Sequence, residues 1–434
     1  MNTRVPLGFL CVHLLFEYLR IHHVVPILAM IKIQTVFFVI FVVVVIRQVS
    51  QSKGRAAPQT RLLLAFLGLA FAQVPLATNW FFAWRFGYDL GLTLIGYAAI
   101  AYIPHDERDM KTFLAWLVTI HVYLATIGIR GYSGNEFTES GYTSTGSIGG
   151  SFLGDENDAA LALLIALPLA IYVFRQARAA WSRLCWGVGA LLLLITVVFT
   201  FSRGAFVGLV VMALWWILTS KKRGQAIGAL VLAGLLMFAV APPEYWARME
   251  TITQTDEGTA QLRQNYWAAA RRMFAASPIW GVGGDNGRVL MPEYALEFPE
   301  EYRMNQWGRA FHSFYYQILA EFGSLGVLLI GSIVVLNFRD LRQIRALARK
   351  GRVPGSVGQL ANCLRFSWIG FFVCAAFISV LSYPHLYYLT ALTVSLRRIA
   401  REQEGLPSPA PERASVVPVR PGPLWRSRLP EPGR

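Results

Sequence analysis

Arg203, Arg263 and His312 are the side chains in this sequence best suited to act on a charged substrate, and a glycine-rich turn, Gly281 to Gly287, lies between the last two. Guanidinium groups grip phosphate oxygens through a planar pair of donors. Imidazole is the one side chain whose unperturbed pKa lets it serve as a base near neutral pH. Turn amides can converge on an anion. Together these groups are what a polyanionic substrate such as a lipid pyrophosphate requires.

Each also has a plainer reading. Arg203, in FTFSRGAF between two apolar runs, could snorkel from a helix end. Arg263, Arg271 and Arg272 lie where Leu262, Tyr266, Ala269 and Met273 trace an amphipathic helix, so they could form its solvated face. The GVGGDNG turn, with Gly283 at its middle, could bind an anion or be structural. It has no preceding strand and no following GK[ST], so it is neither a dinucleotide nor a Walker fingerprint. His312 could be structural, and Ser313 is placed to cap the helix after it. Asp155, Glu156, Asn157 and Asp158 precede an apolar run, where acidic residues cap a helix or orient a hydroxyl or an arginine. No metal-ligand spacing and no cofactor motif accompanies them. The other paired acids, Asp106 and Asp109, fall in a different loop.

The elements that must position these residues are membrane helices. The chain is 55% hydrophobic with a mean hydropathy of +0.45, more apolar than a soluble protein of 434 residues. A net charge of +15 could signal nucleic acid, but Lys and Arg cluster in alternate loops, which is the positive-inside pattern of a polytopic membrane protein. Such clusters are Arg47 to Arg55, Arg175 to Arg183, Lys221 to Arg223, and Arg339 to Arg352. The four cysteines lack CxxC spacing and read as buried thiols. The sequence predicts an all-α fold of about twelve membrane helices of ~20 residues. Nine helices occupy residues 1–241, with a polar loop near 130–158. A cap loop carrying the site spans 242–311, three further helices occupy 312–398, and a disordered basic, proline-rich tail spans 399–434. Alternation puts both termini in the cytoplasm and both polar loops, with the Arg203 turn, on the outer face. Gly323 and Gly326 would let a neighbouring helix pack closely.

Four stretches in order resemble the O-antigen ligase and polymerase superfamily. His312-Ser313, nine residues and then Gly323-Ser324-Leu325-Gly326 fits its H-[NSQ]-x9-G-x-x-G signature. RQNYWAAARRMFAASPIWGVGGDN resembles its R-x-x-x-W…P-x-x-G-x-G stretch, FTFSRGAF its arginine turn, and GSFLGDENDAALAL its G-D-x-N-D segment. That acidic segment and EYLRIHHVVP are also similar to the O-glycosylation ligases associated with exosortase systems. The resemblance implies a multi-pass inner-membrane enzyme that moves a glycan from undecaprenyl pyrophosphate to an acceptor on the periplasmic face. It implies no metal or other cofactor, and inversion at the anomeric carbon. By matched position it makes His312 the base, or an orienter, at the acceptor hydroxyl and gives the pyrophosphate to Arg203 and Arg263; Gly283, Asp155 and Asp158 are the further candidates for contact with the substrate. The acceptor stays open between a glycolipid, a growing glycan and a protein hydroxyl, since no core-recognition element is visible. A transporter for a polyanionic lipid would use the same arginines for binding alone.

Overall fold

The computed structural model describes residues 4–21, 26–52, 56–133, 137–138, 141–142, 153, 156–220, 222–250 and 258–405. Among them the chain is helical apart from a two-residue antiparallel pair, Phe137–Thr138 with Gly141–Tyr142. The longer helices are α1 (Arg4–Leu14), α2 (Ile33–Gln51), α3 (Pro58–Ala72), α4 (Trp80–Tyr102), α5 (Glu107–Ser133), α6 (Glu156–Gln176) and α7 (Ala180–Phe199). They continue with α8 (Arg203–Thr219), α9 (Arg223–Val240), α10 (Gly258–Ala276), α11 (Gly287–Tyr294), α12 (Phe314–Arg349), α13 (Gly355–Ala375) and α14 (Pro384–Glu404). Seven of the described helices are long and apolar enough to cross a membrane, and α8 and α9 are shorter apolar helices.

Burial sorts them. α6 is the hub, with 78% of its apolar window inside the protein, packed on α5, α7 and α13. Small residues let these helices touch: a Cβ on Gly208 of α8 would lie 2.7 Å from Leu164 of α6, and Ser367 of α13 donates to the Ile165 carbonyl at 2.7 Å. By contrast only 17% of the α2 window is buried, and Val36, Val39, Val43 and Ile46 are exposed, as a lipid-facing helix requires. The same outward exposure corrects one expectation about the thiols. Cys363 and Cys374 are buried, but Cys185, on the outer side of α7, is exposed.

Several boundaries depart from the apolar runs. The apolar stretch from Leu62 to Phe82 does not form one helix: α3 stops at Ala72, a 3-10 turn spans Val74–Leu76, and Asn79 accepts from the amides of Phe81 and Phe82 to cap α4. Pro75 lacks a donor and cannot carry a helix through. The aromatic residues Trp80, Phe81 and Trp84 therefore lie in the first turns of α4. α14 runs on to Glu404, into the stretch expected as tail, where Glu404 pairs with Arg352 at 2.9 Å. Residues 406–434 and most of the 130–158 loop lie outside the described residues.

Candidate active site

The Arg203 turn is assembled by contacts at one end of the bundle. Ser202 is the N-cap of α8 and accepts from the Ala205 amide. Its hydroxyl also donates to Asn157 Oδ1 at 2.8 Å, tying the turn to the first turn of α6. Phe201, immediately before the cap, has φ 55, a left-handed conformation that costs a bulky residue ~1–3 kcal/mol. Phe201 is buried against Tyr245, with ring centroids 5.8 Å apart, and on the other side of the cap a Cβ on Gly204 would lie 3.2 Å from Phe377. Arg203 is thus the first residue of a helix whose start is fixed from three sides.

Glu156 and Asp158 occupy the first turn of α6, where their charge complements the helix dipole. Asp158 is buried, and its Oδ2 accepts from Tyr383 at 2.9 Å. Asp155 lies outside the described residues. Tyr383 ends the segment 376–383 that joins α13 to α14, and that segment links the separate pieces. Phe377 packs under the Arg203 turn, Tyr383 holds Asp158, and the Leu381 amide donates to Gln317 Oε1 at 3.2 Å. Gln317 is one turn and a half past His312.

His312 has φ 49, is partly exposed, and sits between buried Phe311 and buried Ser313. Ser313 is the N-cap of α12 by position, but no side-chain cap hydrogen bond forms; its carbonyl accepts from the Gln317 amide at 2.9 Å. α10 packs across this start. The Tyr266 ring lies 6.3 Å from the His312 ring, and the Trp267 indole donates to the Phe311 carbonyl at 3.0 Å. Arg263 is one helical turn before both and shares their face. Burial raises the Tyr266 phenol pKa, and Arg309 works the other way. Arg271 and Arg272 are not merely a solvated face. Arg272 grips Glu297 through two bonds, at 2.9 and 2.6 Å, and Arg271 lies over the Tyr316 ring.

The glycine turn corrects the sequence reading most. Gly323 interrupts α12 with φ 57 and ψ −156, a region open in practice only to glycine. The two hydrogen bonds that a continuous helix would make there, from Ser324 to Ala320 and from Leu325 to Glu321, are replaced by bonds to the turn. Ser324 and Leu325 amides donate to the Pro278 and Ile279 carbonyls at 2.8 and 3.2 Å. Ala320 and Glu321 carbonyls accept from the Val282 and Gly283 amides at 2.9 and 3.0 Å. The turn is spliced backbone to backbone into the broken helix. A Cβ on Gly281 would lie 2.4 Å from the Glu321 backbone, and one on Gly323 would lie 2.6 Å from the Ile279 carbonyl oxygen. Gly283 therefore spends its amide on Glu321 and has none to offer a pyrophosphate. Gly323 receives this turn, where a packed helix was expected.

Side chains lock the splice. Gln73, at the end of α3, donates to the carbonyls of Glu321 and Trp280. Asn286 accepts from the Asn79 amide at 2.7 Å and donates to the Asn79 carbonyl at 3.1 Å. Asp285, at φ 58, pairs with Arg288 at 2.7 Å, while burial raises its carboxyl pKa. Sequence reading missed Gln73, Asn79, Gln317, Glu321 and Tyr383. For Gln73, Gln317 and Glu321, polar residues within or beside apolar runs were the available signal.

Residues 188–331 match the family described as O-antigen ligase, a span that includes the Arg203 turn, Arg263, the spliced glycine turn, His312 and the broken start of α12. No curated protein matches the chain.

Proposed function

We propose that this chain, which belongs to the O-antigen ligase superfamily, transfers a glycan from undecaprenyl pyrophosphate to an acceptor hydroxyl at the membrane face that carries His312. The observation that carries this reading is the convergence at one bundle end of the Arg203 turn, the first turn of α6 and the start of α12, all joined through segment 376–383. In the reaction the acceptor oxygen attacks the anomeric carbon while the bond from that carbon to the pyrophosphate oxygen breaks. His312 takes the hydroxyl proton, and the electron pair leaves on undecaprenyl pyrophosphate. Arg203 and Arg263 offset the charge that grows there; such preorganised donors act where charge develops in the transition state. Asp155 and Asp158 belong to the substrate surround, with Asp158 positioned by Tyr383. Attack opposite the leaving group inverts the anomeric centre, with no metal required by the scheme.

A broken membrane helix is also a transporter device, because opened carbonyls and amides can coordinate a passing ion. At Gly323 those groups are bonded to the glycine turn, which favours fixed chemistry over passage. The arginines test the reading. Arg203→Lys and Arg263→Lys keep charge but lose the planar pair of donors. In a strain deleted for the gene, each is expected to leave lipid-linked glycan accumulated and the glycoconjugate depleted by roughly tenfold or more, since a charged hydrogen bond contributes ~1.5–3 kcal/mol. Wild-type glycoconjugate from both variants would reduce the arginines to snorkelling charges.

The proposed setting is the inner membrane, with about twelve crossings and the site on the periplasmic side. Reporter fusions after the exposed Glu301 should read periplasmic, and those at Lys222 and Lys350 cytoplasmic. A cytoplasmic signal after Glu301 would put the site on the wrong side of the membrane for a periplasmic transfer.

A further inference from the structure

The bundle end opposite His312 contains a cavity of about 660 Å³ that glycan transfer does not use. Arg61 of α3, Arg339 of α12, and Arg397, Arg398 and Arg401 of α14 line it. Asp340 and Glu402 are the acids in the wall. Five cations against two acids leave a net formal charge of +3 in one concavity. The positive-inside rule accounts for basic residues on that side of a membrane. It does not account for their convergence from three separate helices, which brings like charges together.

The acids offset only part of this charge. Asp340 accepts from buried Gln59 at 2.8 Å and stays 3.9 Å from Arg339 and 4.0 Å from Arg397. Arg398 is engaged, donating to the Ala101 carbonyl at 2.7 Å and lying over the Tyr102 ring. Arg397 is the telling residue. Its side chain is 16% exposed, and among the described residues its Nε and one terminal nitrogen are buried without a hydrogen-bond acceptor. A buried donor left unpaired costs ~1–3 kcal/mol, more when charged. An anion in the cavity would supply the missing acceptor, and planar guanidinium groups suit phosphate oxygens in particular.

We propose that this cavity binds a phosphate ester, with an anionic phospholipid headgroup as the occupant that best fits its setting. Basic pockets between membrane helices at a bilayer surface hold such headgroups. The wall also includes the end of the lipid-facing α2, at Gln51 and Ser52, and apolar surface from Ala57, Pro58 and Val394 that suits a glycerol backbone. Free phosphate shares the recognising chemistry. The site is independent of the proposed transfer reaction.

The experiment uses the full chain in two arms. In the first, protein is reconstituted in vesicles of phosphatidylcholine and phosphatidylglycerol, re-extracted, and its retained lipid measured by mass spectrometry. In the second, inorganic phosphate is titrated calorimetrically into protein held in pure phosphatidylcholine nanodiscs. The wild type should retain phosphatidylglycerol over phosphatidylcholine, and Arg397→Gln should reduce that enrichment by about tenfold, one guanidinium–phosphate contact being worth ~1.5–3 kcal/mol. Arg61→Gln with the exposed Arg401→Gln provides a second variant should Arg397→Gln fail to fold. The exposed Arg183→Gln, away from the cavity, should change nothing. Enrichment lost in the cavity variants identifies the lipid. Phosphate binding lost in those variants, without lipid enrichment, identifies a free-phosphate site. No binding in either arm, or binding that the cavity variants leave unchanged, overturns the proposal.

Discussion

Replacing His312 by alanine is expected to lower glycan transfer by about two to four orders of magnitude, the span of a lost general base, while the protein stays folded in the membrane. On the proposed reading the lipid-linked donor should then accumulate on the periplasmic leaflet, since Arg203 and Arg263 would still hold its pyrophosphate. The left-handed backbone at this position, φ 49, complicates an alanine substitution, because a new residue must accept that conformation as well as lack the imidazole. Asparagine enters this region more readily than most residues. His312→Asn therefore separates the two causes: it tolerates the backbone yet cannot take a proton near neutral pH. Both variants should be inactive, with detergent melting close to wild type for the asparagine form. Leaflet-resolved labelling of the lipid-linked glycan is the measurement. Trapping on the cytoplasmic leaflet would favour transport instead, and unchanged product in His312→Asn would leave the histidine a structural residue.

The second large effect is on folding. Gly323→Ala puts a side chain where φ 57 and ψ −156 are observed and where the Ile279 carbonyl oxygen would be 2.6 Å from the new Cβ. The strain alone costs ~1–3 kcal/mol. If the turn is pushed away, three backbone groups of α12 (the Ala320 carbonyl and the Ser324 and Leu325 amides) lose their partners, each at ~1–3 kcal/mol inside the protein, while the Glu321 carbonyl keeps Gln73. Water and local refolding would recover part of that, but the sum rivals the whole stability of a typical folded protein, ~5–15 kcal/mol. Membrane abundance and thermal resistance in detergent should collapse together. Gly281→Ala, on the other side of the splice, should behave alike, since its Cβ would lie 2.4 Å from the Glu321 backbone. Gly331, further along the same helix, has nothing within 4 Å of a built Cβ, so Gly331→Ala should be silent. If Gly323→Ala melts like Gly331→Ala, the splice does not hold the helix break.

Glycine at 323 and 326 shows the limit of reading a signature by spacing. The pattern after His312 was visible, and it pointed to the O-antigen ligase superfamily, but its physical reason was not. Close helix packing is the usual use of small residues in membrane helices. Here Gly323 opens a helix so that a turn 40 residues upstream can close its hydrogen bonds, and Gly326 is small because the displaced Phe322 side chain folds against it, with Phe322 Cβ 2.2 Å from a built Cβ.

The sequence alone determined what depends on local composition and period. Apolar runs specified the membrane helices, because a bilayer leaves the backbone little choice but to satisfy itself within each segment. The alternation of basic clusters gave an expected division of the loops between two faces. Residue chemistry picked out Arg203, Arg263 and His312. Only the tertiary structure decided which segments pack around them. Segment 376–383 joins Asp158, the Arg203 turn and Gln317, and Gln73 and Asn79 lock a turn some 200 residues away in sequence. The amides of the glycine turn could serve an anion or, more readily, structure, and those of Val282 and Gly283 find their carbonyl partners on α12. A backbone hydrogen bond between distant segments leaves no periodic trace in sequence, because every residue except proline carries the same donor and acceptor.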